Sequence, residues 1–294
     1  MRGGAVVSAI LLEGQPFAAV IRDELVALAV QRQAELGYPV ELAIVVLRDG
    51  AGNSASDVYV RQLRRAARSV GITSRMVELP ASADAASLLE TLAALNDDPH
   101  VHGIIVQLPL PSHLSRETLL DAIVPEKDVD GITATNAGNL FLNLPALVPA
   151  TCAAVMEMLD RAGIALDGRR AVVVGASAVV GRPLALMLLQ RNATVSVCHI
   201  YTEDLPSFTR QAEVLVVAAG QPGLITAEMV RPGATVIDVG INVLSDGSVV
   251  GDVAFAAVRE VAGAITPVPG GIGPLTNLMV MQQTLRRLDG MHTA

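Results

Sequence analysis

Arg170-Ala171-Val172-Val173-Val174-Gly175-Ala176-Ser177-Ala178-Val179-Val180-Gly181-Arg182-Pro183 decides how this chain is read. A β-branched run enters a glycine turn, and a second glycine opens a helical pattern. Gly175 permits the tight turn, and Gly181 lets helix and strand pack closely. Backbone N–H groups and the positive helix end then converge on one point, which suits a pyrophosphate. The middle glycine of the usual G-x-G-x-x-G word is Ser177, so the loop by itself is as consistent with an ordinary βα turn. The strand pattern that follows, Thr194–Cys198, supplies a βαβ setting that favours the dinucleotide.

The end of that strand reads Cys198-His199-Ile200-Tyr201-Thr202. A bound 2′-phosphate calls for Arg or Lys at this place, through charge-assisted hydrogen bonds. Ile200 and Tyr201 stand there instead, with Glu203 and Asp204 beyond, which favours NAD over NADP unless an arginine such as Arg182 reaches in. His199 is either a cofactor ligand or a loop histidine with a structural partner.

Outward from this loop, the chain alternates strand and helix patterns on both sides. Before it, helical spacing covers Gln15–Leu36, Ala55–Val70 and Ala85–Leu95, the last with Asp84 as N-cap. Between them, Glu41–Leu47, Met76–Leu79 and Gly103–Gln107 read as strands, and Ala5–Leu12 as a first strand or extended arm. Pro145–Pro149 reads as a crossing between domains. After it come a helix at Ala150–Ala162 and the series Ala171–Val174, Arg182–Gln190, Thr194–Cys198, Val214–Ala218 and Thr235–Val239. A final helix, Pro274–Leu288, is long enough to return to the first domain. Such alternation implies α/β architecture with parallel sheets covered on both faces. The expected division is 1–147 with 275–294 as a substrate domain, and 148–274 as a Rossmann-type dinucleotide-binding domain.

Composition narrows the class. Hydrophobic residues make up 51% of 294 and charged residues 17%, which is globular rather than disordered. A net charge of −8 argues against a nucleic-acid surface and against anionic membranes. Cys152 and Cys198 form no disulfide framework and no zinc spacing, which suits a reducing cytoplasm. His100, His102, His113, His199 and His292 have no partners at metal-ligand spacing, so no metal is expected, and His100-x-His102 is read as surface.

Two further segments point to a substrate. Thr266-Pro267-Val268-Pro269-Gly270-Gly271-Ile272-Gly273-Pro274-Leu275-Thr276 is dense in residues that fix an unusual backbone and allow close approach. It serves equally as a rigid turn between domains. Asp130, in Lys127-Asp128-Val129-Asp130-Gly131, is read on its own as a solvated turn residue, since Asp-Gly favours turns.

These segments together resemble the bifunctional methylenetetrahydrofolate dehydrogenase/cyclohydrolase family along nearly the full length. The matching words are Ser56-Asp57-Val58-Tyr59-Val60, Val106-Gln107-Leu108-Pro109-Leu110-Pro111, Lys127–Gly131, Gly175–Pro183, Ile237-Asp238-Val239-Gly240-Ile241-Asn242, Gly251-Asp252-Val253 and Thr266–Thr276. The resemblance implies an N-terminal α/β substrate domain, a Rossmann domain, a cleft between them and a homodimer. It implies that Tyr59 covers a reduced folate, that Gln107 bonds near the reacting carbon, and that Asp130 grips the pterin. That grip has a physical basis, because a carboxylate accepts two parallel N–H bonds from a 2-amino-pyrimidinone. Pro269, Gly270 and Gly271 would complete the substrate side. NAD or NADP would meet Gly175, Ser177, Val179, Val180, Gly181, His199, Ala219, Gly240, Ile241 and Thr276.

One departure bears on activity. The family keeps a lysine four residues after the tyrosine, on the same helix face. Here that position is Leu63, a substrate-side residue that neither donates nor accepts a proton. Arg64 is adjacent but points roughly 100° around the helix. Milder departures are Ala150 and Cys152 in a usual Pro-Cys-Thr-Pro word, and Gln221 before Pro222-Gly223. Hydride transfer depends mainly on positioning, whereas hydrolysis of a methenyl bridge needs protons moved. The expectation is a methylenetetrahydrofolate dehydrogenase with cyclohydrolase activity largely lost. Behind it stand a reductase of a non-folate cyclic imine and a non-catalytic folate- or nucleotide-binding relative.

Overall fold

Residues 8–48, 55–119 and 121–286 are described by the computed structural model. In chain order the elements are β1 (Ile10–Leu11), α1 (Gly14–Leu36), β2 (Glu41–Leu47), α2 (Ala55–Ser69), β3 (Thr73–Leu79), α3 (Ala85–Asp97), β4 (Val101–Val106), α4 (Ala134–Phe141) and α5 (Ala150–Arg161). They continue with β5 (Arg170–Val174), α6 (Gly181–Gln190), β6 (Thr194–Cys198), α7 (Leu205–Thr209), β7 (Val214–Val217), β8 (Thr235–Asp238), β9 (Asn242–Val243), β10 (Val249–Val250), α8 (Phe255–Val258), β11 (Ala264–Ile265) and α9 (Gly273–Arg286). Ala5–Val7 of the expected first strand, Arg287–Leu288 of the expected last helix and His292 lie outside the described residues.

The chain forms two compact units, one of residues 18–150 and 277–294, the other of residues 1–17 and 151–276. The expected division was 1–147 with 275–294, and 148–274; the described residues 8–17 instead lie with the second of these. Their place follows from pairing: Ile10 and Leu11 lie in parallel register with Ala264 and Ile265 at a sheet edge.

In the first unit, β3, β2 and β4 make a parallel sheet in that order, with β2 central. The interior residues of β2, Leu42–Val46, are all buried, as a strand covered on both faces requires. Asp84 caps α3 by accepting the Ser87 N–H at 2.9 Å. β3 begins three residues before the expected Met76, because polar Ser74 and Arg75 are tolerated on an edge strand. His102 corrects the surface reading: it lies within β4, 2% exposed, and its Nδ1 accepts the Glu41 N–H at 3.1 Å.

The second unit carries a six-stranded parallel sheet in the order β1-β11-β8-β7-β5-β6. Alternate residues Val172, Val174, Leu215, Val217 and Val236 face one core with Ile225, Val258 and Ile265. β9 and β10 form a separate antiparallel ribbon, Val243 opposite Val249. No helix of the described residues is long and apolar enough to cross a membrane.

Candidate active site

In the first unit the site begins on α2. Asp57, Val60, Leu63, Ala67 and Val70 are buried at spacings of three and four, the stripe that holds this helix to its core. Leu63 is 0% exposed and belongs to that stripe. It was expected among substrate-side residues; in this structure its side chain packs in the stripe. Tyr59, one turn earlier, is half-buried. Burial, and then the Asp130 carboxylate, push its phenol pKa well above the usual value. Tyr59 therefore stays a proton donor with an anion beside it.

Asp130 lies in a loop tied by buried polar side chains. Lys127, the only lysine of the chain, is buried, and its Nζ donates to the carbonyls of Leu95 (3.0 Å), Asn96 (2.6 Å) and Asp98 (2.7 Å). A compact three-donor ammonium meets three converging carbonyls at a helix C-terminus, a task unsuited to a planar guanidinium. Asp128, also buried, accepts the N–H groups of Ile132 (3.1 Å) and Thr133 (2.8 Å) and the Asn136 amide (3.0 Å). Gln283 of α9 donates to the Val129 carbonyl at 2.8 Å and accepts the Val148 N–H at 2.7 Å, the return of the last helix expected from its length. Gly131 has φ +61°, and a Cβ there would lie 2.4 Å from the Val148 carbonyl carbon. The two aspartates thus divide the work: Asp128 ties the loop and half-exposed Asp130 faces Tyr59. Sequence reading missed α4 and the structural roles of Lys127 and Asp128. The isolation of one lysine among twenty arginines was the available signal.

Gln107 follows β4. Its backbone N–H donates to the Val45 carbonyl at 2.9 Å, and its side-chain amide donates to the Leu108 carbonyl at 2.5 Å.

In the second unit the glycine loop closes as its sequence suggests. Gly175 has φ +116°, and a Cβ there would sit 2.1 Å from the Ala218 carbonyl oxygen. A Cβ on Gly181 would sit 1.9 Å from the Gly175 carbonyl oxygen. Ser177 Oγ, at the missing-glycine position, accepts the N–H groups of Val180 (3.1 Å) and Gly181 (3.4 Å). The carbonyls of Val179 and Val180 accept the Cys152 thiol at 3.6 and 3.3 Å. Both cysteines are buried and form no disulfide among the described residues.

After β6, Ile200 and Tyr201 are 91% and 85% exposed. His199 is exposed, and its Nδ1 accepts the Tyr201 N–H at 3.2 Å, which gives the ring a structural partner. Ala219 and Gly240 follow β7 and β8, and Ile241 is exposed. In the turn before α9, Pro269 is exposed and the Gly270 carbonyl accepts the Gly14 N–H at 2.8 Å. A Cβ on Gly14 would lie 2.0 Å from the Gly271 carbonyl oxygen, a clamp not legible in the sequence. Thr276 Oγ1 donates back to the Ile272 carbonyl at 3.4 Å. The described residues hold no group of three or more His, Cys, Asp or Glu able to bind a metal.

Comparison with known proteins places the chain in a family. Residues 12–130 match the tetrahydrofolate dehydrogenase/cyclohydrolase catalytic domain, and residues 149–291 match the NAD(P)-binding domain of the same name. A bifunctional protein FolD from Chloroflexus aurantiacus is 49% identical over 279 residues, spanning 95% of this chain and 97% of the relative. The crystal structure of the bifunctional FolD enzyme from Campylobacter jejuni superposes with a TM-score of 0.92 at 42% identity, covering 97% of this chain and all of that one. A Trypanosoma brucei relative, solved with NADP and an inhibitor, superposes with a TM-score of 0.90 at 36% identity and covers 98% of this chain and 99% of that one.

Proposed function

Because the chain belongs to the tetrahydrofolate dehydrogenase/cyclohydrolase family, and is an NAD(P)-dependent oxidoreductase of one-carbon metabolism, we propose that it oxidises 5,10-methylenetetrahydrofolate and has largely lost methenyl hydrolysis. The observation that carries this reading is Leu63, buried in the apolar stripe of α2 one turn after Tyr59. Lys127, the one lysine, has its ammonium committed to three carbonyls. Loss of a positioned acid/base group slows proton-dependent chemistry on the order of 10²–10⁴-fold. Hydride transfer leaves a methenyl cation that the substrate's own nitrogens stabilise, so it survives the loss.

In this reading Asp130 accepts the pterin's N–H pair, Tyr59 covers the ring and Gln107 bonds near the reacting carbon. A dinucleotide lies against Gly175–Gly181 and the loops after β7 and β8, and the nicotinamide accepts the hydride. The turn after β6, with Ile200, Tyr201, Glu203 and Asp204, supports NAD rather than NADP. The assignment of one unit to the substrate and the other to the dinucleotide, a cytoplasmic setting and a homodimer belong to the same proposal. Hydride transfer with NAD and NADP, measured beside methenyl hydrolysis on one preparation, tests it. Turnover without hydrolysis is expected; comparable rates for both reactions refute the loss. No turnover with either cofactor favours the reduction of a cyclic imine instead.

A further inference from the structure

Two carboxylates lie buried at the end of the large sheet with no cation among their hydrogen-bond partners. Asp238, the last residue of β8, is 3% exposed. Its Oδ1 accepts the N–H groups of Gly240 (2.9 Å) and Asp252 (3.0 Å), and its Oδ2 accepts that of Val253 (3.0 Å). Asp252 is fully buried; its Oδ2 accepts the N–H groups of Ala219 (2.6 Å) and Gly220 (2.8 Å). Its Oδ1 accepts the Asn242 side-chain amide at 2.8 Å. Backbone amides are therefore the main counter-charge for both aspartates, and burying a carboxylate this way is costly unless every bond is made.

The sequence makes room for the arrangement. A Cβ on Gly251 would lie 1.9 Å from Asp238 Oδ2, and one on Gly240 would lie 2.4 Å from Asp252 Oδ1. Both glycines are needed for the carboxylates to press this close. The partners divide by loop: Ala219 and Gly220 follow β7, Gly240 and Asn242 follow β8, and Gly251–Val253 follow β10. Dinucleotides bind outside the carboxyl ends of such strands.

We infer that Asp238 and Asp252 are positioning residues that hold the loops after β7 and β8 in one arrangement against the dinucleotide. The inference rests on the proposed placing of the cofactor at Ala219, Gly240 and Ile241. Asp252 is the link between the loops. Its two oxygens address different strands, so replacing one oxygen by an amide sets a donor against a donor on one side. A misplacement of about 1 Å at a reacting centre costs roughly 10²-fold in rate.

The test is Asp252→Asn, with Asn242→Ala as a milder second variant that removes one donor only. Dinucleotide affinity is read from NADH and NADPH fluorescence, and steady-state kinetics separate kcat from the KM for methylenetetrahydrofolate. Asp252→Asn is expected to weaken dinucleotide binding about 10-fold and to lower kcat roughly 10²-fold, with the folate KM near wild type. Asn242→Ala should shift the same two quantities less. Unchanged affinity and kcat in Asp252→Asn, or an equal loss on the folate side, overturns the inference. If Asp252→Asn does not fold, Asn242→Ala decides alone, and wild-type dinucleotide binding in it is the contrary result. Wild-type protein that binds neither dinucleotide overturns the parent reading as well, and is seen before any variant is made.

Discussion

The Asp130 carboxylate lies near enough to the Tyr59 phenol to make removal of its proton harder than burial alone would. A neighbouring ammonium would act in the opposite sense, favouring the phenolate and moving protons with it. In the proposed reading, Leu63 stands at the sequence position from which that ammonium would act. On the proposed function, the pair would grip and cover a ring rather than activate water.

Asp130→Asn tests the grip. A hydrogen bond to a charged group contributes about 1.5–3 kcal/mol, so the folate KM should rise roughly 10- to 100-fold. The same substitution removes the anion beside Tyr59, and ultraviolet titration of the tyrosines should show one phenol ionising at lower pH than in wild type. An unchanged KM would remove Asp130 from the substrate site.

Lys127→Met tests the loop that presents Asp130. Three carbonyls lose their donor, and an unsatisfied buried polar group costs about 1–3 kcal/mol. Urea unfolding should show at least about 3 kcal/mol of lost stability with an unchanged m-value. Lys127→Arg should also be destabilised, since one planar fork does not fit three carbonyls on one helix end. A stable Lys127→Arg would contradict this assignment.

The segments that were legible in the sequence are those where a long pattern meets a strong local requirement. Glu41–Leu47 is one apolar run buried on both faces, and Asp84 caps α3 because Ser87 follows at the right spacing. The Gly175–Gly181 loop was legible for the same reason, its glycines answering contacts near 2 Å. β1, β9, β10 and β11 have two residues each, too few to carry a period, and only their partners define them. His102 misled because a polar side chain in a strand finds its partner, the Glu41 N–H, 61 residues away. Asp130 and Tyr59 were singled out by resemblance, and the charge of one acts on the phenol of the other. The Asp238–Asp252 staple was not legible, since nothing local distinguishes a buried aspartate that binds distant amides from a solvated one.

Stability against pH should carry the mark of Asp238. Burial raises its pKa from the ordinary 3.8 to about 6, so between these values the folded protein binds the proton more tightly than the unfolded chain does. The group therefore subtracts stability above pH 6, and this penalty is relieved as pH falls from about 6 to about 4. The difference in unfolding free energy between wild type and Asp238→Asn should change over that window and be level above it. A level difference throughout would show that Asp238 titrates normally.

Cofactor choice should follow the turn after β6. Wild type should prefer NAD, and Ile200→Arg, at an exposed position, should raise kcat/KM for NADP by about tenfold through one charge-assisted bond. A wild-type preference for NADP would show that the 2′-phosphate is met by a cation from another segment.

The central claim is that Leu63 separates the two activities of the family. It is tested most directly by the ratio of methenyl hydrolysis to hydride transfer, measured in wild type and in Leu63→Lys. A low ratio is expected in wild type, with a rise of roughly 10²-fold in the variant, carried by hydrolysis, and hydride transfer little changed. Wild-type protein that hydrolyses methenyltetrahydrofolate as fast as it transfers hydride would contradict it.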